Sequence, residues 1–188
     1  IAEGGIRSIQ VRDDGQGITE AELPLALASH ATSKISGLDD LEAIHTLGFR
    51  GEALASIASV SRLQLSSRHG GESHAWTISN DAQANALVPS SLAKGTQVVV
   101  NDLFYNVPAR RKFLRTEKTE YSHIDQVVKR IALSHPSVSF AFSHNGKTTL
   151  DCKIAPTEED QLSRAGRILG NEFTNNAMPV LQEGAGLA

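Results

Sequence analysis

Asp13, Gly15 and Gly17 form a D-x-G-x-G run directly after the stretch Ser8-Ile9-Gln10-Val11-Arg12. Ile9 and Val11 alternate with polar neighbours, the period of a strand with one buried face, and Asp13 shares their parity. If the strand continues to Asp13, its carboxylate points toward the core, where a lone charge is costly and a donor partner is needed. The exocyclic amine of an adenine is such a donor. Two glycines just beyond allow the backbone to approach a flat ring and to take up positive φ. The same residues also suit a strand-ending turn with an ordinary capped aspartate.

A second run, Leu47-Gly48-Phe49-Arg50-Gly51-Glu52-Ala53-Leu54, is a glycine-bounded loop leading into a helix-forming stretch. Free N–H groups at a helix N-terminus attract anions, and the helix dipole adds to this. Nucleotide phosphates fit that geometry, and Gly48 and Gly51 would let the loop close as a lid. A plain loop-to-helix junction is the competing reading. His30-Ala31-Thr32-Ser33-Lys34 groups two hydroxyls and an ammonium that suit ribose or phosphate, or a solvated loop. Thr96, after Gly95, opens a valine-rich strand and could share the donor and acceptor set around Asp13. Gly146-Lys147-Thr148 imitates the end of a phosphate-binding Walker loop. That loop needs a glycine five residues before Gly146, where the chain has Ala141, and a helix rather than a strand after it.

Arg110, Arg111, Lys112, Arg115 and Lys118 cluster around Phe113. Grouped cations can track a phosphate backbone with strong salt dependence; a solvated face paired with Glu117 and Glu120 is the alternative. His123 and His135 stand alone, outside any metal-ligand constellation, and are read as structural.

These groups need elements to hold them. Thr19 and Glu22 have capping-box spacing, so a helix is expected from about Glu20 through Leu23, Leu25 and Ala26. Ser36 and Asp39 suggest a cap before a short helix through Leu41 and Ile44, and residues 52–60 read as a buried helix. Leu63 and Leu65, then Trp76 and Ile78, mark strands, whereas residues 81–94 have no period and read as a loop. Residues 96–103 read as a central strand. Residues 117–134 read as an amphipathic helix with Tyr121, Ile124, Val128 and Ile131 on one face. Val138, Phe140 and Phe142 alternate in a strand, Asn145-Gly146 signals a hairpin, and residues 148–154 are its partner. Thr157 and Asp160 cap a last helix to about Leu169. The pattern is α+β, a helix layer on a mixed sheet.

The 188 residues carry a formal charge of -3, which argues against wholesale coating of nucleic acid but leaves room for a local basic patch. Cys152 is the single cysteine, so an internal disulfide and a cysteine zinc site are excluded, and a reducing compartment is compatible. No apolar run approaches the ~20 residues that span a bilayer. The chain starts at Ile1 rather than Met and stops at Gly184-Ala185-Gly186-Leu187-Ala188 without a terminal element, so both ends are expected to be cut from a longer protein; a processed chain is the alternative.

Taken in order, these motifs resemble the GHKL ATPases, the superfamily of gyrase, large heat-shock chaperones and sensor histidine kinases. Within it, residues 30–34, residues 48–54 and Asn106-Val107-Pro108-Ala109-Arg110-Arg111-Lys112-Phe113-Leu114 look like signatures of the bacterial MutL mismatch repair family. The likeness runs from about Gly5 to Gly170 and is weakest in residues 73–89 and after Asn171. It implies a GHKL (Bergerat) sandwich over residues 1–155, lacking its first motif, and the start of a second, transducer-like α/β domain over 156–188. It implies ATP and magnesium as cofactors. Asp13 would accept from adenine beside Gly15 and Gly17, and Thr96 would join through water. Thr32, Ser33 and Lys34 would line the sugar and phosphate side. Gly48, Phe49, Arg50, Gly51, Ala53 and Leu54 would meet the phosphates. The family's general base and magnesium ligand would precede Ile1, and a lysine to the γ-phosphate would come from the second domain. On that reading no catalytic residue lies here, and the polypeptide as it stands is expected not to hydrolyse ATP. The resemblance further implies a dimerisation switch driven by ATP binding and hydrolysis, a mismatch-recognition protein and strand-processing enzymes as partners, and a bacterial cytoplasmic, nucleoid-associated setting without a membrane; the basic patch of Arg110, Arg111, Lys112 and Arg115 is expected to hold DNA non-specifically. The alternatives are a DNA-binding and protein-interaction scaffold with the same fold, or another GHKL ATPase of the gyrase type.

Overall fold

The structure, a computed structural model, describes residues 1–28, 52–80 and 86–178. Thr32, Ser33, Lys34, Gly48, Phe49, Arg50 and Gly51, and the helix expected through Leu41 and Ile44, lie outside the described residues. The chain divides into two units, residues 1–120 and 121–188.

The first unit is built on a five-stranded sheet. Its strands are β1 (Ser8–Arg12), β2 (Arg62–Arg68), β3 (Ala75–Ser79), β4 (Val88–Ser90) and β5 (Gly95–Asn101), in the spatial order β1-β5-β2-β3-β4. Every ladder in it is antiparallel. The α+β class therefore stands, while the sheet expected to be mixed in direction is antiparallel among the described strands. A tight turn over Glu3–Gly5 precedes β1, closed by the pairing of Ala2 with Ser8.

Directly paired residues of an antiparallel ladder share a face. Ile9 and Leu63 both pair with Val100, and Val11 and Leu65 both pair with Val98, so these rows line one face. Two short helices cover it: α1 (Leu23–Leu27) and α2 (Ala53–Ala58). Leu23, Leu63, Leu65, Ile78 and Val100 form the buried centre, with Leu54, Ile57, Ala58 and Trp76 packed against it. Burying each leucine contributes about 2 kcal/mol relative to solvent exposure. The opposite face is polar, with Ser66 bonded to Thr77 at 2.7 Å and Thr77 to Ser90 at 2.9 Å.

β4 lies inside the segment read from sequence as a loop. Pro89 masks its strand character, but β4 is the last strand in the order, where a residue without an N–H is tolerated. The helix signalled by Thr19 and Glu22 begins at Leu23, with the Glu22 carboxylate accepting from the Thr19 hydroxyl at 2.7 Å and amide at 3.3 Å. Those bonds, and the positive field of His69, hold the Glu22 carboxyl below the usual glutamate range.

The unit ends in a turn of helix, α3 (Pro108–Arg111), with proline in its first turn, where its missing N–H costs nothing. The helix α4 (Glu117–Ser134), most of which belongs to the second unit, leads to the hairpin β6 (Phe140–His144) and β7 (Lys147–Cys152), turning at Asn145-Gly146 as expected. A full capping box between Thr157 and Asp160 starts α5 (Glu158–Leu169), followed by α6 (Asn171–Asn176), which had no sequence signal. Arg164, 4% exposed, spends all five N–H donors on the carbonyls of Ala132, His135, Val138 and Lys153. Ala132 lies in the last turn of α4 and His135 just beyond it, where a cation is favoured by the helix dipole.

Candidate functional site

The core face changes character at one end of the sheet. After the rows of Ile9, Val100 and Leu63 and of Val11, Val98 and Leu65 comes a row of Asp13, Thr96 and Ser67. Asp13 extends β1 by one bond, its amide donating to the Thr96 carbonyl at 2.9 Å. Its carboxylate Oδ1 accepts from the amides of Gly15 at 2.9 Å and Thr96 at 3.2 Å. Ser67, fully buried, lies 3.0 Å from the Thr96 hydroxyl and 3.0 Å from the Gly95 carbonyl, and accepts from the Ile18 amide at 2.8 Å.

Two glycines permit this convergence. Gly95 (φ +119°) has the Asp13 carbonyl so close that a Cβ would overlap it, and Gly17 (φ +79°) is pressed in the same way against the Arg68 carbonyl. Each lets two backbones meet where a side chain would hold them apart.

Asp13, Gly15, Gly17 and Thr96 are thus brought together as the sequence suggested, with one correction. Asp13 has the parity of the core residues, yet it is exposed, and Val11 beside it is 62% exposed. The carboxylate avoids the cost of burial by lying on an open ledge at the sheet's end, where backbone amides, rather than a side chain, partner one of its oxygens. Ala53 and Leu54 begin α2 over the same face, and Leu54 packs its side chain on the core. Ser67 carried no motif of its own in the sequence. Its parity with Leu63 and Leu65 was the available signal, since a serine in register with two core leucines requires partners.

Arg110, Arg111, Lys112, Arg115 and Lys118 are all exposed, and Phe113 among them is 82% exposed. The segment before them is pinned: Asn106 donates to the Ser59 carbonyl at 2.9 Å, and the Arg62 guanidinium stacks over Tyr105 at 4.6 Å. Glu120, a partner of the cations on the alternative reading, accepts from the Arg115 amide at 2.7 Å, at the start of α4. Among the described residues no group of three His, Cys, Asp or Glu side chains could hold a metal ion, and no helix is long and apolar enough to cross a membrane.

A helix-covered antiparallel sheet, with an aspartate and a threonine joined at the end of its core face and a glycine-rich turn beside them, is the layout of a GHKL ATPase module, and solved structures place the chain in that class. It is similar to the Aquifex aeolicus MutL ATPase domain complexed with ADP, with a TM-score of 0.68 and 30% identity over 90% of this chain and 58% of that one. The N-terminal domain of a DNA repair protein shares the fold, with a TM-score of 0.70 at 24% identity over 90% of this chain and 51% of that one. Within the class, the chain is similar over almost its whole length to part of the MutL DNA mismatch repair proteins. It is 53% identical over 182 residues to the MutL of Mannheimia succiniciproducens, covering 96% of this chain and 29% of that protein. It is 52% identical over 189 residues to the MutL of Herminiimonas arsenicoxydans, covering 99% of this chain and 30% of that one. The chain thus spans a little under a third of the length of these relatives. No protein-family model matches it.

Proposed function

We propose that this chain is the adenine-nucleotide-binding part of a mismatch repair ATPase, and that the ledge at Asp13 and Thr96 receives the base. One observation carries the reading: two acceptor-bearing residues, brought together from strands 83 positions apart, share an open edge with the exposed apolar side chain of Val11. A planar ring with an exocyclic amine satisfies both the apolar and the acceptor surface. Gly15 and Gly17 keep the neighbouring backbone low. Thr32, Ser33 and Lys34 are assigned to the sugar and phosphate side, and Gly48, Phe49, Arg50, Gly51, Ala53 and Leu54 to the phosphates. Magnesium enters with the triphosphate; the described residues offer no cluster to hold it, and no step is assigned to it.

In the whole protein, ATP binding would drive dimerisation, a switch biased by a ligand. The exposed cations Arg110, Arg111, Lys112 and Arg115 would hold DNA without sequence preference. A mismatch-recognition protein and strand-processing enzymes would be the partners, in a bacterial cytoplasm close to the nucleoid. Residues from about 156, where Thr157 caps a new helix, would open the second, transducer-like domain.

Thermal unfolding with and without the ATP analogue AMPPNP and magnesium tests the nucleotide reading on the protein at its full native length. A ligand at about 100 times its Kd stabilises by about 2.7 kcal/mol, a readily measured rise in Tm. No rise at millimolar analogue would overturn the assignment.

A further inference from the structure

We propose that Ser67 is a positioning residue that fixes the direction of the Thr96 hydroxyl and thereby makes the ledge discriminate adenine from guanine nucleotides; this rests on the nucleotide reading above.

The inference follows from counting protons. A serine hydroxyl has one proton and two lone pairs. Ser67 Oγ receives the Ile18 amide at 2.8 Å and lies 3.0 Å from both the Gly95 carbonyl and the Thr96 hydroxyl. A carbonyl can only accept, so the Ser67 proton goes to Gly95. The remaining approach is then a hydrogen bond only if Thr96 donates it. In that arrangement Ser67 is saturated, as a fully buried hydroxyl requires. Thr96 has spent its proton on Ser67 and presents only lone pairs. Asp13 Oδ1 is taken by the amides of Gly15 and Thr96, which leaves Oδ2, again an acceptor, for a ligand.

The side chains of the ledge therefore present acceptors. Adenine offers them an amine. Guanine places a carbonyl oxygen at the same ring position, so oxygen would face oxygen and desolvated acceptors would stay unpaired. If Ser67 is removed, the Thr96 hydroxyl is free to turn and donate, and the penalty against guanine relaxes.

The test measures the Kd of AMPPNP and of GMPPNP for the full-length protein and for Ser67→Ala, Thr96→Val and the double variant, with circular dichroism to confirm folding. The wild type is expected to prefer the adenine nucleotide, and Ser67→Ala to reduce that preference by about tenfold, the worth of one hydrogen bond. In the Thr96→Val background, Ser67→Ala is expected to change the ratio no further, because Ser67 acts through Thr96. A structural effect alone would weaken both nucleotides equally and leave the ratio intact, and that result overturns the proposal. So does equal binding of the two nucleotides by the wild type, or an undiminished effect of Ser67→Ala in the Thr96→Val background. Should Ser67→Ala fail to fold, Ser67→Cys, of similar volume with a weak donor, takes its place under the same criteria. If the wild type binds neither nucleotide, the site reading itself falls; if it discriminates and Ser67→Ala leaves the ratio unchanged, only the role of Ser67 falls.

Discussion

Asp13 and Thr96 are joined twice, each giving its backbone amide to the other: the Asp13 amide to the Thr96 carbonyl at 2.9 Å, and the Thr96 amide to the Asp13 carboxylate at 3.2 Å. The pairing fixes the carboxylate at the end of β1, with one oxygen bonded to two backbone amides. It depends on the β1–β5 ladder, and so on Gly95.

Gly95→Ala tests that dependence. A Cβ at this position collides with the Asp13 backbone, and φ +119° is a region L-residues rarely adopt. Backbone strain of this kind costs about 1–3 kcal/mol. The variant is expected to unfold at correspondingly lower urea and to lose adenine-nucleotide affinity. Unchanged stability and affinity would show that the close approach is dispensable.

Arg164→Lys tests the clasp of the second unit. Lysine has three donors in place of five and cannot fork between carbonyls, so at least one of the four carbonyls loses its Arg164 bond. A destabilisation of about 1–3 kcal/mol is expected, the cost of one group left unsatisfied. Amide hydrogen exchange in residues 121–178 should speed up accordingly. Protection equal to the wild type would contradict the assignment.

How much of this was legible in the sequence varies from element to element. The helix over 117–134 and the hairpin at Asn145-Gly146 were readable because their signals are local: a 3.6-residue period and a turn dipeptide. The site was half readable. The types and spacing of Asp13, Gly15, Gly17 and Thr96 suggested a base-binding edge, but which rung of β5 meets Asp13 is a matter of register between strands 83 residues apart, and no local pattern encodes it. The exposure of Asp13 was hidden for the same reason: parity identifies a face, not where the covering helices stop. β4 was hidden by Pro89, whose place on an edge strand only the sheet order reveals.

Charge reversal tests the basic cluster. Arg110, Arg111 and Arg115 changed together to Glu are expected to lower affinity for double-stranded DNA and to flatten its salt dependence by about 0.9 in log–log slope for each phosphate no longer neutralised. Stability should hold, because all three side chains are exposed. An unchanged slope would make the cluster a solvated face and no more.

The most direct measurement of the central claim is calorimetric titration of AMPPNP into the full-length protein and its Asp13→Asn variant. The asparagine carbonyl can still accept from Gly15 and Thr96, so the backbone clasp survives, but the group left for the ligand turns from acceptor to donor. The account predicts tight binding to the wild type and affinity weaker by more than about tenfold in the variant, with Tm preserved. Equal affinity for both proteins would mean that Asp13 does not read the base.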